Sequence, residues 1–373
     1  MSKTFRSLVC VFVAVSMLFS FSASALDTAD NTSDETAVFE LIVDFFESLF
    51  AKIYEFLKPG FTCIDVEAYT TELFEIPGLD EDFVPQGLCF IEELDCFAVS
   101  GYSSASGEGD EILSRIYLIE KDTKTVKKLL LLSPDGSAFN YHAGGIASNE
   151  NDLWVASGGS EKKGGFAYHI TTDVLSDAKS GDKVQFDGRF QTEAKASYMY
   201  CDGGMLWIGE FYNKDNPVNS AHAYGKNKAI CCGYKLPVTV DYTSNEKLVP
   251  DVVLSIPDQV QGMSITDNGE VVFSTSYGRR NNSVMHIFSD YKSWESDSAE
   301  IFNTQDIPLY IAENDSRITK ITMPTLMEAY DYYNGNLYMI FESGAEKYSD
   351  ARRVIKTVWE TDISAVINAV NSK

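Results

Sequence analysis

A phrase that recurs five times along the chain constrains its fold more than any other feature. The copies read GLCFIEELDCFAVSGY from Gly87, GIASNENDLWVASGG from Gly145, SYMYCDGGMLWIGEFY from Ser197, GMSITDNGEVVFSTSYGR from Gly262 and AYDYYNGNLYMIFESG from Ala329. Each copy holds a small residue, a run of strand formers, a tight polar turn and a second, more apolar strand. Because Asn-Gly, Asp-Gly and Asn-Asp tolerate the positive φ of tight turns, the phrase predicts a two-stranded β-hairpin.

The spacing of the copies predicts how the hairpins are arranged. They begin 58, 52, 65 and 67 residues apart, and periods of this size are typical of stacked or radial arrays. One such hairpin cannot bury its apolar faces alone, whereas five around an axis can. We therefore predict an all-β fold, a five-bladed β-propeller. A sixth blade would require a sixth hairpin, and the sequence offers no further copy of the phrase.

The segments between the copies predict the outer strands of the blades. The predicted outer strands are 115–120 and 125–132 in blade one, 165–171 and 183–190 in blade two, 228–235 and 251–256 in blade three, 283–289 in blade four and 353–361 in blade five. A further strand of blade four falls between residues 300 and 321, without a clear position. Blade five has no outermost strand of its own, and 68–76 stands alone ahead of the first hairpin. We predict that 68–76 completes blade five, because an unclosed ring leaves an exposed sheet edge.

The first 60 residues predict an exported protein with an appended helix. Lys3 and Arg6 precede an apolar run at 8–21 and the small residues of 23–25, so 1–25 is interpreted as a signal peptide. The alternative is a membrane anchor, although the run is short for a span. We expect a secreted, extracellular protein in which 26–60 contains a disordered stretch and an amphipathic helix at 34–57, and 61–373 forms the propeller. The helix is expected to pack on the propeller, to self-associate, or to contact a membrane surface or another protein.

The net charge and the cysteine spacing indicate which classes of partner and metal site the chain does not favour. With 30 basic and 55 acidic residues the formal net charge is −25, which argues against nucleic acid as a partner. Six cysteines remain after removal of the signal peptide, and their spacing fits no zinc motif. Cys89 and Cys96 lie on opposite arms of one hairpin, so they either form a disulfide or fill strand positions as small buried side chains. The adjacent Cys231 and Cys232 are expected to point to opposite faces of a strand.

Polar residues at one rim of the predicted ring form the candidate site. The inner strand of each hairpin starts, and the second strand ends, at the same rim, and convergent polar groups in a concavity favour a binding site. The inner strands begin with Gln86, His142, Gln261 and Glu328, and the second strands end with Tyr102, Ser157, Glu210, Tyr277, Arg279 and Glu342. His169, His222 and His286 fall on outer strands or loops, and no role is assigned to them.

Each candidate also has a structural interpretation. The amides of Gln86 and Gln261 can simply bond to backbone where blades meet, and His142 can be a structural histidine. Glu328 and Glu342 can form an ion pair with Arg279 that holds blades four and five together. If the two carboxylates stand free instead, they can act as acid and base in glycoside cleavage. Together with His142 or Glu210, they can hold a metal ion that activates water.

Several of these segments resemble those of a known group of proteins. The segments Pro85-Gln86-Gly87, 142–146, Gln261-Gly262-Met263, 274–279 and 341–344 together resemble a family of uncharacterised secreted bacterial β-propeller proteins. This resemblance implies the propeller fold and export, and it carries no assigned activity. A looser likeness is to calcium-dependent lactonases and phosphotriesterases of the gluconolactonase kind. Those enzymes have six blades and bind their metal with Glu, Asn and Asp, whereas the set here offers Glu, Gln and His.

The leading functional hypothesis is that a small molecule or carbohydrate binds in the axial funnel. One alternative is a hydrolase that uses the same funnel, either as a metal-dependent enzyme with calcium or through the carboxylates, with Glu328, Glu342 and His142 as the candidate catalytic residues. The other alternative is a protein-interaction platform that engages its partner through the helix 34–57.

Overall fold

Each repeated hairpin forms the two innermost strands of its own sheet, as the sequence predicts. The computed structural model describes residue 62 and residues 64–107, 109–160 and 164–372. The predicted signal peptide 1–25, the stretch 26–33 and the helix 34–57 lie outside these residues, so those predictions stay predictions. Among the described residues, no helix has both the length and the apolar character needed to cross a membrane.

Blades one and two are antiparallel meanders. Blade one comprises β2 (Phe83–Ile91), β3 (Cys96–Ser103), β4 (Arg115–Glu120) and β5 (Val126–Leu132). Blade two comprises β6 (Gly145–Asn149), β7 (Asp152–Ser160), β8 (Gly164–Thr171) and β10 (Gly188–Thr192). In both blades each strand pairs antiparallel with the next, from the axis outward.

The prediction of one outer strand over 183–190 is wrong. After the short helix α1 (Thr172–Asp177), β9 (Lys183–Gln185) pairs parallel with β5 and so extends blade one, while β10 pairs with β8 in blade two. The Asp187-Gly188 step divides the two strands, since Gly188 lies against Tyr242, whose carbonyl oxygen would be 2.1 Å from an added Cβ. One continuous stretch of sequence therefore serves two different sheets.

A hairpin from the chain segment of blade four extends the sheet of blade three. Blade three comprises β11 (Tyr198–Cys201), β12 (Met205–Gly209), β13 (Ala229–Lys235) and β14 (Val252–Ile256). Blade four comprises β15 (Val260–Ile265), β16 (Glu270–Thr275), β17 (Ser283–Asp290) and β20 (Arg317–Met323). Between β17 and β20 the chain forms a hairpin of β18 (Glu295–Ile301) and β19 (Thr304–Ile311), and β19 pairs parallel with β14. The region 300–321 had no clear strand because it contributes to two blades.

Blade five is closed by the N-terminal part of the described chain. It comprises β21 (Met327–Tyr333), β22 (Asn336–Phe341), β23 (Thr357–Thr361) and β1 (Thr70–Glu75). β1 pairs antiparallel with β23, with Thr70 opposite Thr361, which confirms the predicted closure. Helix α2 (Ile363–Asn371) follows, capped by the Asp362 side chain, which accepts a hydrogen bond of 2.8 Å from the backbone N–H of Ala365.

The ring is held by apolar layers between neighbouring blades. The inner strands contact one another in the order β2, β6, β11, β15, β21 and back to β2, which completes the circle. In the described residues, five buried apolar clusters each combine side chains of two adjacent blades. Cys231 belongs to the cluster between blades three and four and Cys232 to the one between blades two and three, which confirms that the pair faces opposite sides. Cys89 and Cys96 are free and buried, so they pack as small apolar side chains.

The small residue that opens each repeated phrase lets the inner strands approach closely. A Cβ added to Gly145 of blade two would lie 2.4 Å from the backbone nitrogen of Met199 in blade three. A Cβ added to Gly262 of blade four would lie 2.8 Å from the carbonyl oxygen of Glu328 in blade five. Because backbone atoms cannot yield as a flexible side chain can, these positions require glycine.

Candidate functional site

β-Bulges place three of the predicted residues at the axis. The β2–β3 register shifts at Gln86, the β15–β16 register at Gln261, and the β21–β22 register around Glu328. A bulge adds one unpaired residue to a strand and re-aims its side chain. The repeated phrase therefore delivers a polar group at the start of each of these three inner strands.

The residues meet in a cavity of about 600 Å³ on the axis, which we call the axial funnel. All five blades contribute to its wall. Seven of the predicted residues line it: Gln86, His142, Gln261, Tyr277, Arg279, Glu328 and Glu342. The structure therefore brings these seven residues together. Tyr102, Ser157 and Glu210 do not line the cavity.

Two glutamates lie at the buried end of the funnel. Glu328 is 3% exposed and Glu342 is 7% exposed. Gln86 Nε2 donates a hydrogen bond to Glu342 Oε1 at 2.5 Å and another to the carbonyl oxygen of Pro85 at 2.9 Å. In contrast, Glu328 Oε2 is buried and has no hydrogen-bond partner among the described residues. An unpartnered polar atom in a cavity wall is a place where a ligand atom can bind.

Burial keeps both glutamates from ionising easily. It raises the pKa of Glu328 well above the usual range, and the neighbouring charge of Glu342 raises it further. Burial also raises the pKa of Glu342 to about 7, although the hydrogen bond from Gln86 and the positive charges of Lys347 and Arg279 favour its ionised form. The pair therefore presents a protonated carboxyl group beside one that ionises near neutral pH.

His142 stands on one wall of the funnel in an aromatic stack. Its ring stacks on that of Tyr102, with centroids 4.5 Å apart and the ring planes inclined by 27°. Lys347 Nζ donates a hydrogen bond of 2.6 Å to the Tyr102 hydroxyl. The ring of His142 is open to the cavity but surrounded by the funnel wall, and this desolvation together with the charge of Lys347 lowers its pKa. A neutral imidazole at this position can both donate and accept a hydrogen bond.

The mouth of the funnel is aromatic and basic. Tyr141 and Tyr277 are 50% and 45% exposed, which is unusual for large side chains of this kind. The Tyr277 hydroxyl donates to Asp215 Oδ2 at 3.1 Å, while Arg279 forms an ion pair with Asp350 at 2.5 Å. Arg279 does not pair with Glu328 or Glu342, so the predicted ion pair between blades four and five is absent from the described residues.

Glu210 belongs to a separate buried cluster below the funnel wall. Its Oε1 lies 2.8 Å from His222 Nδ1 and also accepts from the backbone N–H of Ile230 at 3.0 Å. His222 Nε2 lies 3.6 Å from Glu193 Oε1. Although burial alone would lower the pKa of His222, the acceptors Glu193 and Glu210 raise it to about 9. The contact between His222 and Glu210 links the two ends of the segment 211–222, which supplies Phe211 and Asn216 to the funnel.

Several lining residues were not identified from the sequence. They come from loops or from positions next to a predicted residue, and they are Tyr141, Lys195, Phe211, Asn216, Ser276 and Tyr348. Tyr141 precedes His142 directly, so the same argument could have included it. Lys195 and Tyr348 lie on connections whose paths the repeat does not specify. No sequence pattern identifies the role of His222, because its partners Glu193 and Glu210 are distant in sequence.

A second cavity of about 610 Å³ opens at the other end of the axis, and we call it the distal cavity. It is formed by the turns of the inner hairpins. Among the described residues, its wall carries neither lysine nor arginine but six carboxyl groups: Glu92, Glu93, Glu150, Asp202, Asp267 and Asp331. Burial raises the pKa of Asp331 to about 7, although it accepts a hydrogen bond of 2.7 Å from the backbone N–H of Phe90. The two ends of the axis therefore differ in charge.

The described residues include no group of three or more His, Cys, Asp or Glu side chains arranged to hold a metal ion. Glu210, one of the predicted metal ligands, is fully occupied by its bonds to His222, Ile230 and the backbone N–H of Lys195. The calcium prediction thus has no support from the arrangement of these side chains.

Comparison with known proteins gives likeness to solved structures only. Neither the protein-family scan nor the search of curated proteins gives a match. The chain is similar to the PQQ-bound aldose sugar dehydrogenase of Streptomyces coelicolor, with 11% identity and a TM-score of 0.40 over 73% of this chain and 78% of that one. It is similar to a GH43_1 enzyme of Xanthomonas citri, with 9% identity and a TM-score of 0.41 over 78% and 89%. It is also similar to the glutaminyl cyclase of Myxococcus xanthus, with 9% identity and a TM-score of 0.39 over 78% of this chain and 94% of that one. Likenesses this distant carry no argument about the site.

Proposed function

We propose that the protein binds a carbohydrate, or a small polar molecule of similar character, in the axial funnel. The observation that carries this proposal is the buried Glu328 Oε2, which has no partner in the described residues and lies in the wall of a cavity of about 600 Å³. Cavities of roughly 300–1,000 Å³ with a few convergent polar groups are typical of small-molecule sites.

The distribution of groups along the funnel favours a sugar. A sugar ring has hydroxyl groups at its edge and an apolar C–H face. Gln86, Glu328 and Glu342 offer donors and acceptors at the buried end. The exposed rings of Tyr141 and Tyr277 offer flat apolar surfaces at the mouth, where a sugar ring can stack. We also propose that the protein acts outside the cell, because 1–25 has the features of a signal peptide.

Binding to a panel of defined oligosaccharides, measured by calorimetry, tests the proposal. For a saccharide that binds, Tyr277→Ala should weaken affinity about tenfold, since stacking on an aromatic ring contributes roughly 1–2 kcal/mol. Asp267→Asn in the distal cavity is the matched control and should leave affinity unchanged. If Asp267→Asn weakens binding and Tyr277→Ala does not, the ligand binds at the other end of the axis and the proposal is wrong.

A second candidate, glycoside hydrolysis, is favoured by the paired carboxyl groups. Glu328, protonated over a wide pH range, would act as the acid, and Glu342, with a pKa of about 7, would act as the base or nucleophile. On 4-nitrophenyl glycosides, turnover should rise as the pH passes about 7 and disappear in Glu342→Gln. Unchanged turnover in Glu342→Gln would remove Glu342 from the reaction.

A further inference from the structure

Three cations of this acidic protein lie in or beside the axial funnel: Arg279 and Lys195 line it, and Lys347 contacts Tyr348, which lines it. Arg279 and Lys347 both lie against the ring of Tyr348, at 4.9 Å and 5.2 Å from its centroid, so the two charges are within about 10 Å of each other. Lys195 lines the same funnel. The distal cavity has nearly the same volume, but six carboxyl groups and no cation in its wall. The two ends of the axis therefore differ in their basic residues.

Two of these cations are available to a ligand. Lys347 Nζ donates to the Tyr102 hydroxyl at 2.6 Å, and Lys195 Nζ donates to Asn216 Oδ1 at 2.5 Å. Both acceptors are neutral, and neither lysine forms an ion pair with a carboxylate of the described chain. The charge of each of these two lysines is therefore not offset by a carboxylate of the described chain, and each lies where a ligand in the funnel can reach it. Arg279 differs, because its charge is offset by Asp350.

The buried end of the funnel carries less negative charge than its two glutamates suggest. Glu328 and Glu342 resist ionisation because they are buried, so they add less negative charge than two exposed carboxylates would. In the protonated form each can donate a hydrogen bond to a sugar hydroxyl. The charges and the depths of these groups thus match a ligand with hydroxyl groups at its inner end and a negative charge at its outer end.

We infer that the ligand is an acidic saccharide, a sugar carrying a carboxylate such as a uronic acid, with its carboxylate bound at the mouth by Lys347 and its basic neighbours. This inference rests on the proposed function and specifies its ligand class. A charge-assisted hydrogen bond to a carboxylate is among the stronger polar contacts available to a binding site.

The test compares uronic-acid trisaccharides with the same trisaccharides after reduction of their carboxyl groups to primary alcohols. The full-length protein is titrated with each by calorimetry. We expect the acidic form to bind at least about tenfold more tightly, the effect of one charge-assisted hydrogen bond. Lys347→Met should reduce this preference about tenfold, because affinity for the acidic form falls more than affinity for the reduced form. Lys347→Arg should retain it. Lys347 is exposed, so neither variant is expected to impair folding, and thermal unfolding verifies this.

Lys235→Met serves as the control, because Lys235 is an exposed lysine at the end of β13 remote from the funnel. Equal affinity for the acidic and reduced forms would overturn the acidic ligand class while leaving saccharide binding intact. A preference that persists in Lys347→Met but is lost in Lys235→Met would also overturn it. Failure of every saccharide, acidic or neutral, to bind would instead contradict the proposed function itself.

Discussion

Gln86 and Glu342 are joined by a hydrogen bond although 256 residues separate them in the sequence. One lies in a bulge of the first blade and the other directly follows β22 of the fifth. The bond thus spans the seam at which the ring closes. It also favours the ionised form of Glu342, since the amide donates to its carboxylate.

Removing the Gln86 donor should raise the pKa of Glu342 above its value of about 7. In Gln86→Leu the ionised carboxylate loses a hydrogen bond, while the desolvation that disfavours it remains. NMR of protein labelled with ¹³C at glutamate carboxyl carbons measures the titration, and Glu342→Gln assigns the signal. A pKa that stays the same or falls in Gln86→Leu would show that the amide does not stabilise the carboxylate.

His222 should stabilise the fold in a manner that depends on pH. Its pKa is about 9 in the folded protein and about 6.5 when unfolded, so its contribution is full below pH 6.5 and is lost as the pH rises through 9. We expect His222→Gln to lower the free energy of unfolding by about 3 kcal/mol at pH 6. The difference from wild type should shrink between pH 6.5 and 9.

Urea denaturation of both proteins at several pH values measures this difference. His286→Gln is the control, because burial lowers the pKa of His286 to about 3, so in the folded protein it stays neutral throughout this range and its effect on stability should not change between pH 7.5 and 9. A difference between His222→Gln and wild type that does not change with pH would mean that the imidazolium is not held by Glu193 and Glu210.

Gly145→Ala should separate blades two and three near the axis. The added methyl group would meet the backbone nitrogen of Met199 at 2.4 Å and the Cα of Tyr198 at 2.7 Å, and backbone cannot move aside easily. We expect a loss of about 2–3 kcal/mol in the free energy of unfolding. Gly204→Ala is the control, since an added Cβ there meets only the Asp202 side chain at 3.5 Å. Equal stability of the two variants would refute the close-approach explanation of the repeated glycine.

Removal of β1 should open the ring. A chain of residues 77–373 lacks β1 with Phe74 and Ile76, which are buried in the layer between blades five and one. We expect it to be less stable than residues 59–373 by at least about 4 kcal/mol, and to associate through the exposed edge of β23. Thermal unfolding and size-exclusion chromatography compare the two chains. Equal stability and a monomeric state for 77–373 would show that closure by β1 is dispensable.

The repeated phrase predicted the parts of the fold that obey a local rule. The five hairpins and the pairing of the 68–76 segment with blade five both follow from turn chemistry and from the need to cover a sheet edge. The observed fold differs from the predicted one where a segment of one blade pairs with the sheet of a neighbouring blade. β9 and β19 pair parallel with strands of the preceding blade, and no pattern within their own residues specifies that partner.

The candidate site could be predicted where the repeat determines the rim of the ring at which a side chain lies. Gln86, Gln261 and Glu328 break an apolar pattern at equivalent positions, so their convergence could be inferred. Glu210 follows the second strand of blade three as Glu342 follows that of blade five, but Glu210 does not line the funnel and instead bonds to His222 on a connecting segment. Contacts made by loops such as this one depend on tertiary packing that the sequence pattern does not encode.

A crystal structure of the protein with the tightest-binding saccharide tests the central claim most directly. We predict electron density for the sugar in the axial funnel, with a ligand oxygen within hydrogen-bond distance of Glu328 Oε2 and a sugar ring against Tyr277. Density in the distal cavity or on an outer blade face, with the funnel free of ligand, would contradict it.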